Sequence, residues 1–166
     1  MKLMQTRDTP RARRAACESR GLSVIVPMTM SDELIALVRR GYEALNRRDF
    51  DQWMQQLDPE VEVYELAEAP EPVVYHRPEG VRRWLERQDE IFEEFSIEPT
   101  EIVVSGDVVL ATVVLHGRGR GSSAPVTMKL FHVLKMRDGR VLRVRGFLNE
   151  ADARHAAAAD ESDKPG

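Results

Sequence analysis

From Ser31 onward, apolar residues recur at helical spacing: Leu34, Leu37, Val38, Tyr42 and Leu45. Ser31 suits an N-cap, and Asp32 and Glu33 suit the first turn of a helix. Asn46-Arg47-Arg48 breaks the pattern. Asp49 then predicts a second helix start, with Gln52 three residues on as in a capping box. Phe50, Trp53, Met54 and Leu57 share one face of that helix. Asp58-Pro59 ends it, because a residue before proline avoids the helical region. Val61 to Leu66 alternates like a strand, and Pro70 and Pro72 make the next stretch irregular. Pro78 suits the first turn of a third helix. Its buried stripe reads Val81, Trp84, Leu85, Gln88, Phe92 and Phe95, with Glu93-Glu94 on a solvated face.

After Pro99 the period changes to two. Ile102–Ser105, Gly106-Asp107 and Val108–Leu115 read as strand, turn, strand. Gly117 to Ser123 reads as a flexible loop. It has no following helix and no Gly-Lys-Ser/Thr, which argues against a phosphate cradle. Val126–Met136 and Val141–Leu148 are strands joined at Asp138-Gly139, a strong hairpin signal. A short Ala-rich stretch from Asp152 has helical composition, and Asp160–Gly166 reads as a polar, disordered tail. Helices first and meandering strands later predict an α+β fold with the helices on one face of a sheet. The expected layout is a disordered basic extension over 1–30, one domain over 31–155, and a disordered tail over 156–166.

A two-residue turn at Asp138-Gly139 pairs Arg137 with Arg140, and so puts Val133 opposite Val144 and Phe131 opposite Gly146. That face collects Phe131, Val133, Leu142, Val144 and Leu148, and is taken as the pocket wall. The other face carries Met128, Leu130, His132, Leu134 and Met136, with Arg143, Arg145 and Phe147. A sheet with helices on one side should be wet on the other. The second apolar face therefore predicts a homodimer, with His132 at its interface. In the first strand Val61, Val63 and Glu65 share a face. If the valines face the core, Glu65 points inward as a candidate acid/base or ligand anchor. The alternative places Glu65 at the strand end, in water at the rim.

Composition then narrows the function. The chain has 166 residues, 42% hydrophobic and 31% charged, with a net charge of −4. These values fit one globular domain and argue against a nucleic-acid binder. Lys2, Arg7, Arg11, Arg13, Arg14 and Arg20 make the first 27 residues basic. Leu22 to Val26 is too short for a secretory apolar core, and no stretch approaches a membrane span. The expected compartment is cytoplasmic, with Met28 or Met30 as a candidate natural start. The lone Cys17 leaves no internal disulfide and no Cys-rich zinc site. His76, His116, His132 and His155 include no pair at the i, i+4 spacing of a zinc helix. His116 reads as a solvated strand end or a group at the pocket mouth, and His76 as a solvated loop residue. Ser122 and Ser123 have no expected base beside them. No cofactor or metal is implied.

Four segments, in order, resemble the SnoaL-like group of the nuclear-transport-factor-2-like superfamily. Gly41-Tyr42-Glu43-Ala44-Leu45-Asn46-Arg47-Arg48-Asp49-Phe50-Asp51 is similar to its junction between the first two helices. Leu57-Asp58-Pro59-Glu60-Val61-Glu62 resembles the start of its first strand. Pro78-Glu79-Gly80-Val81-Arg82 resembles its third-helix start, and Val133 through Arg140 its last hairpin. The resemblance implies a cone: a curved antiparallel sheet wrapped over three helices, a pocket at the open end, and dimers through the sheet. Members include polyketide cyclases, ketosteroid isomerases, limonene-epoxide hydrolases, dehydratases and proteins without chemistry, so the fold leaves function open. Glu65 matches the isomerase base position. The isomerase tyrosine and aspartate positions fall on Gly41 and Phe131, next to Tyr42 and His132. The cyclase His-Trp-Asp falls on Val144-Arg145-Gly146. Neither catalytic set is present, and the epoxide-hydrolase Asp-Arg-Asp arrangement has no evident counterpart. The expected site is Glu65 in a pocket walled by Trp53, Trp84, Leu85, Gln88, Phe131 and Val133, for a hydrophobic or aromatic small ligand. Two readings stand: acid/base chemistry, or a non-catalytic dimerisation or ligand-binding module.

Overall fold

The computed structural model describes residues 27–163. Residues 1–26, most of the extension expected over 1–30, and residues 164–166, the end of the tail expected over 156–166, lie outside them. In chain order the elements are α1 (Met30–Asn46), α2 (Phe50–Met54), β1 (Leu57–Tyr64), β2 (Val74–His76), α3 (Arg77–Ile91), β3 (Phe92–Ser105), β4 (Val108–Gly119), β5 (Pro125–Arg137), β6 (Arg140–Phe147) and α4 (Glu150–Ser162). The strands form one curved sheet in the order β2-β1-β6-β5-β4-β3. The fold is α+β as expected, but the sheet is mixed, because β1 runs parallel to β6.

The cap of α1 is Thr29, two residues before the expected Ser31. The Asp32 N–H donates to Thr29 Oγ1 at 3.1 Å and the Thr29 N–H donates to Asp32 at 3.0 Å. This reciprocal pair satisfies two otherwise free donors and fixes the start there. Asp49 caps α2 as predicted, accepting the Gln52 N–H at 3.1 Å. Gln52 accepts from Arg47 at 2.9 Å instead of closing a capping box. The helix stops at Met54, since Leu57 already pairs with Val141 in the sheet. Pro59 falls in the irregular part of that pairing, between Leu57 and Glu62, where a proline is tolerated.

The third helix ends at Ile91, so Phe92 and Phe95 belong to β3 and not to its stripe. Phe92 pairs with Gly119 and Phe95 with Gly117. A side chain at Gly117 would stand 2.9 Å from the Phe92 ring. The glycines there admit this aromatic cover, and the expected flexible loop shrinks to a turn after Gly119.

The hairpin register departs from simple counting. Arg137 pairs with Arg140 and Met136 with Val141, but Lys135 pairs with Arg143. The slip leaves Leu142 as a bulged residue. Beyond it Leu134 opposes Val144, His132 opposes Gly146, Val133 opposes Arg145 and Phe131 opposes Phe147. The faces are thus reassigned. Leu130, Leu134 and Met136 join the main core beneath α1, α2 and α3. Phe131, Val133, Val108 and Phe147 form a second cluster with Ala153, Ala156 and Ala157 of α4. The face assigned to a partner copy, with Leu130, His132, Leu134 and Met136, is the inner one, and the face taken as the pocket wall, with Phe131 and Val133, is covered by the chain's own last helix. That helix continues to Ser162, past the expected boundary at 155, and Asp160 is buried.

Two polar ties set the frame. The Asn46 amide donates to the Ile97 carbonyl and accepts the Ile97 N–H, both at 2.8 Å, joining α1 to β3. Arg137 grips the buried Asp58 carboxylate with two bonds, at 2.6 and 2.9 Å, and reaches Glu60 at 2.7 Å. These bonds hold the Asp58 carboxyl below its ordinary value. Asp58→Ala is expected to cost about 2 kcal/mol in denaturant unfolding. This is less than the ~3–5 kcal/mol of a fully buried pair, because Arg137 keeps Glu60 and some water. Among the described residues no helix is long and apolar enough to cross a membrane.

Candidate functional site

A cavity of about 340 Å³ lies between α1, α2 and α3 and the sheet. Its walls are mainly apolar, including Val38, Leu45, Leu130 and Leu134. Trp53 and Trp84 line it as expected, with ring centroids 6.1 Å apart. Gln88 lines it too. Leu85 is buried in the main core and does not line the cavity. Phe131 and Val133 lie on the opposite face of the sheet, under α4. Their place is taken by the alternate residues of β5, Leu130, His132 and Leu134.

Glu65 follows the end of β1 and turns into the cavity at its rim, with a side chain 17% exposed. Both expected placements are therefore partly met: it faces inward and it reaches water. Tyr75 donates to Glu65 Oε1 at 2.9 Å, and Arg87 Nε is 3.8 Å away. Burial first, and then this carboxylate, push the Tyr75 hydroxyl above its ordinary pKa.

Deeper in the cavity, Tyr42 and His132 meet. Tyr42 Oη lies 2.9 Å from His132 Nδ1, and the rings stack at 28° with centroids 5.9 Å apart. Burial lowers the His132 pKa to about 4 and raises that of Tyr42, so both are neutral at pH 7. If the hydroxyl donates to Nδ1, Nε2–H is the free donor. In the other tautomer Nδ1–H donates to Oη and the hydroxyl proton is free. Either way the pair can offer one donor to a ligand oxygen. Opposite His132, Gly146 keeps the space open: an added Cβ would meet the imidazole at 3.7 and 3.9 Å and Leu66 at 3.0 Å.

Sequence reading took Tyr42 for core and His132 for interface. The missed signal is the strand face around His132, where Met128, Leu130, Leu134 and Met136 alternate with one polar residue. The other histidines lie elsewhere. His116 contacts Thr127 at 3.3 Å on the surface, and His76 lies 3.5 Å from Glu62, well exposed. Among the described residues no group of three or more His, Cys, Asp or Glu is placed to hold a metal ion.

Solved structures share this architecture. A nuclear-transport-factor-2-like protein of unknown function from Burkholderia pseudomallei is 19% identical, with a TM-score of 0.65 over 78% of this chain and 98% of its own. TerC, crystallised with polyporic acid, is 18% identical, with a TM-score of 0.63 over 76% and 98%. A candidate polyketide cyclase from Sinorhizobium meliloti is 25% identical, with a TM-score of 0.57 over 71% and 99%. No curated protein matches the sequence. Residues 38–144, more than half of the chain, match the SnoaL-like domain, and the protein belongs to that family.

Proposed function

We propose that this protein binds an apolar, ring-bearing small molecule that carries a carbonyl or hydroxyl oxygen, and that Glu65 exchanges a proton with it. The observation that carries the reading is the neutral Tyr42–His132 pair deep in a mostly apolar cavity. Apolar walls and two tryptophans favour a flat hydrophobic body. A hydrogen bond to the ligand oxygen offsets the cost of removing that oxygen from water. Glu65 lines the same cavity, and in this reading it takes the proton from the carbon next to the ligand carbonyl.

Titrating tryptophan fluorescence with 1-tetralone and its hydrocarbon tetralin tests the binding half. The ratio of ketone to hydrocarbon affinity is expected to fall about tenfold in the double variant Tyr42→Phe, His132→Phe, which removes both possible donors, the equivalent of one hydrogen bond. An unchanged ratio would remove the pair from recognition. Exchange of the α-protons of 1-tetralone in D2O, followed by NMR, tests the chemical half. Glu65→Gln is expected to lower the catalysed rate at least 100-fold, in line with general-base contributions of about 10²–10⁴.

One observation favours a binding module without chemistry. Glu65 already has Tyr75 and Arg87 as partners, which suits a fixed structural carboxylate. No exchange above buffer with wild-type protein, together with normal 1-tetralone binding, would select that reading.

A further inference from the structure

A second group of polar atoms borders the same cavity, beside Gly41 of α1. Gly41, Trp53 and Gln56 all line it. A methyl group at Gly41 would stand 3.0 Å from Gln56 Oε1, 3.5 Å from Trp53 Cδ1 and 3.6 Å from Trp53 Nε1. The indole edge and the amide therefore converge on the space that the glycine leaves free. Among the described residues, neither the Gln56 amide nor Trp53 Nε1 is hydrogen-bonded to the protein, and both are open to the cavity although Trp53 as a whole is only 8% exposed. A ligand that fills the cavity shuts water out from both groups, and leaving such a group unpaired then costs about 1–3 kcal/mol. A glycine inside a helix costs a further ~0.5–1 kcal/mol relative to alanine. At Gly41 that cost has a local consequence, which is room for a guest atom between an N–H donor and an amide.

We propose that Trp53 Nε1–H and the Gln56 amide form a second oxygen-recognising subsite, so that the ligand class is a ring system carrying two separated oxygen functions. The inference rests on the binding reading above, with the first oxygen at Tyr42–His132. Trp53 supplies a donor only, and the amide supplies both a donor and an acceptor. A hydroxyl can accept from the indole and donate to Gln56 Oε1, satisfying both at once. A carbonyl can use only the donors. A phenolic or alcoholic hydroxyl is therefore the better match at this end, making the ligand a hydroxy-ketone rather than a simple ketone or hydrocarbon. Ordered water is the competing occupant, since it too satisfies a donor and an acceptor.

The test compares 5-, 6- and 7-hydroxy-1-tetralone with 1-tetralone. At least one hydroxyketone is expected to bind wild-type protein about tenfold more tightly than 1-tetralone. In Gln56→Leu that ratio is expected to fall to near one. In a ¹H–¹⁵N spectrum of the wild-type protein, the Trp53 indole signal should move with the hydroxyketone more than with 1-tetralone. The chain has two tryptophans, so Trp84→Phe assigns the signal. This measurement on wild-type protein stands even if the Gln56 variant does not fold. No hydroxyketone gaining over 1-tetralone, an unchanged ratio in Gln56→Leu, or a still indole signal would each overturn the subsite while leaving 1-tetralone binding intact. Failure of 1-tetralone itself to bind would instead overturn the underlying reading, and this inference with it.

Discussion

Ending the chain at Asn149, which removes α4, is expected to destabilise the domain by more than about 5 kcal/mol. The helix covers Phe131, Val133, Val108 and Phe147 with three alanines, Ala153, Ala156 and Ala157. Uncovering an aromatic or branched side chain costs about 1.5–3 kcal/mol when complete, and several are uncovered together. Charged groups lose partners as well. The buried Lys135 ammonium donates to the Asp160 carbonyl at 2.6 Å and to the Asp163 carbonyl at 3.3 Å. Arg145 and Arg143 reach the Asp160 carboxylate at 2.6 and 3.4 Å. A typical domain has only about 5–15 kcal/mol in hand. The shortened chain should therefore be unfolded or should associate through the bared sheet, as read by circular dichroism melting and size-exclusion chromatography. A monodisperse product melting within a few degrees of the full chain would show that α4 is an appendage.

Acid should weaken the fold through His132. In the unfolded chain the imidazole titrates near its ordinary 6.5, whereas burial in the fold holds it at about 4. The folded state thus binds fewer protons across this window, and stability falls as the pH falls. The contribution is complete above pH 6.5 and lost once the pH drops through about 4. At about 1.4 kcal/mol per pKa unit, it is worth about 3 kcal/mol. Asp58, held low by Arg137, acts in a different window, below its ordinary 3.8. Denaturant unfolding at pH 7 and pH 4 should show wild-type protein losing about 3 kcal/mol more than His132→Gln. Equal losses would mean that the ring is not held neutral by its surroundings. The same neutrality suits the pair to an uncharged ligand oxygen.

Local signals in the sequence carried most of the architecture. Periodicity placed α1, α3, β4, β5 and β6, Asp49 capped α2, and Asp138-Gly139 formed its hairpin. Alternation in β1 turned Val61, Val63 and Glu65 the same way, and Glu65 does reach the cavity. These features depend on neighbours a few residues apart, so they can be read along the chain. Trp53, Trp84 and Gln88 reached the cavity for the same reason: a helical stripe points one way.

Which side of β5 is the inside depends on long-range packing. Both faces of that strand are apolar because both are covered, one by α1 to α3 and the other by α4, so alternation carries no direction. Phe131 and Val133 went outward under a helix whose alanines give a weak apolar pattern. The bulge at Leu142 shifted the β5–β6 register by one residue and set His132 opposite Gly146. A one-residue slip exchanges the faces of a strand, and no local signal at Asp138-Gly139 announces it. The parallel contact of β1 with β6 likewise joins segments some eighty residues apart. Local patterns along the chain suffice for the fold class and for the rim carboxylate. Long-range packing alone brought Tyr42 to His132, and Gln56 and Trp53 to Gly41, because each contact depends on how helices and sheet close over the cavity.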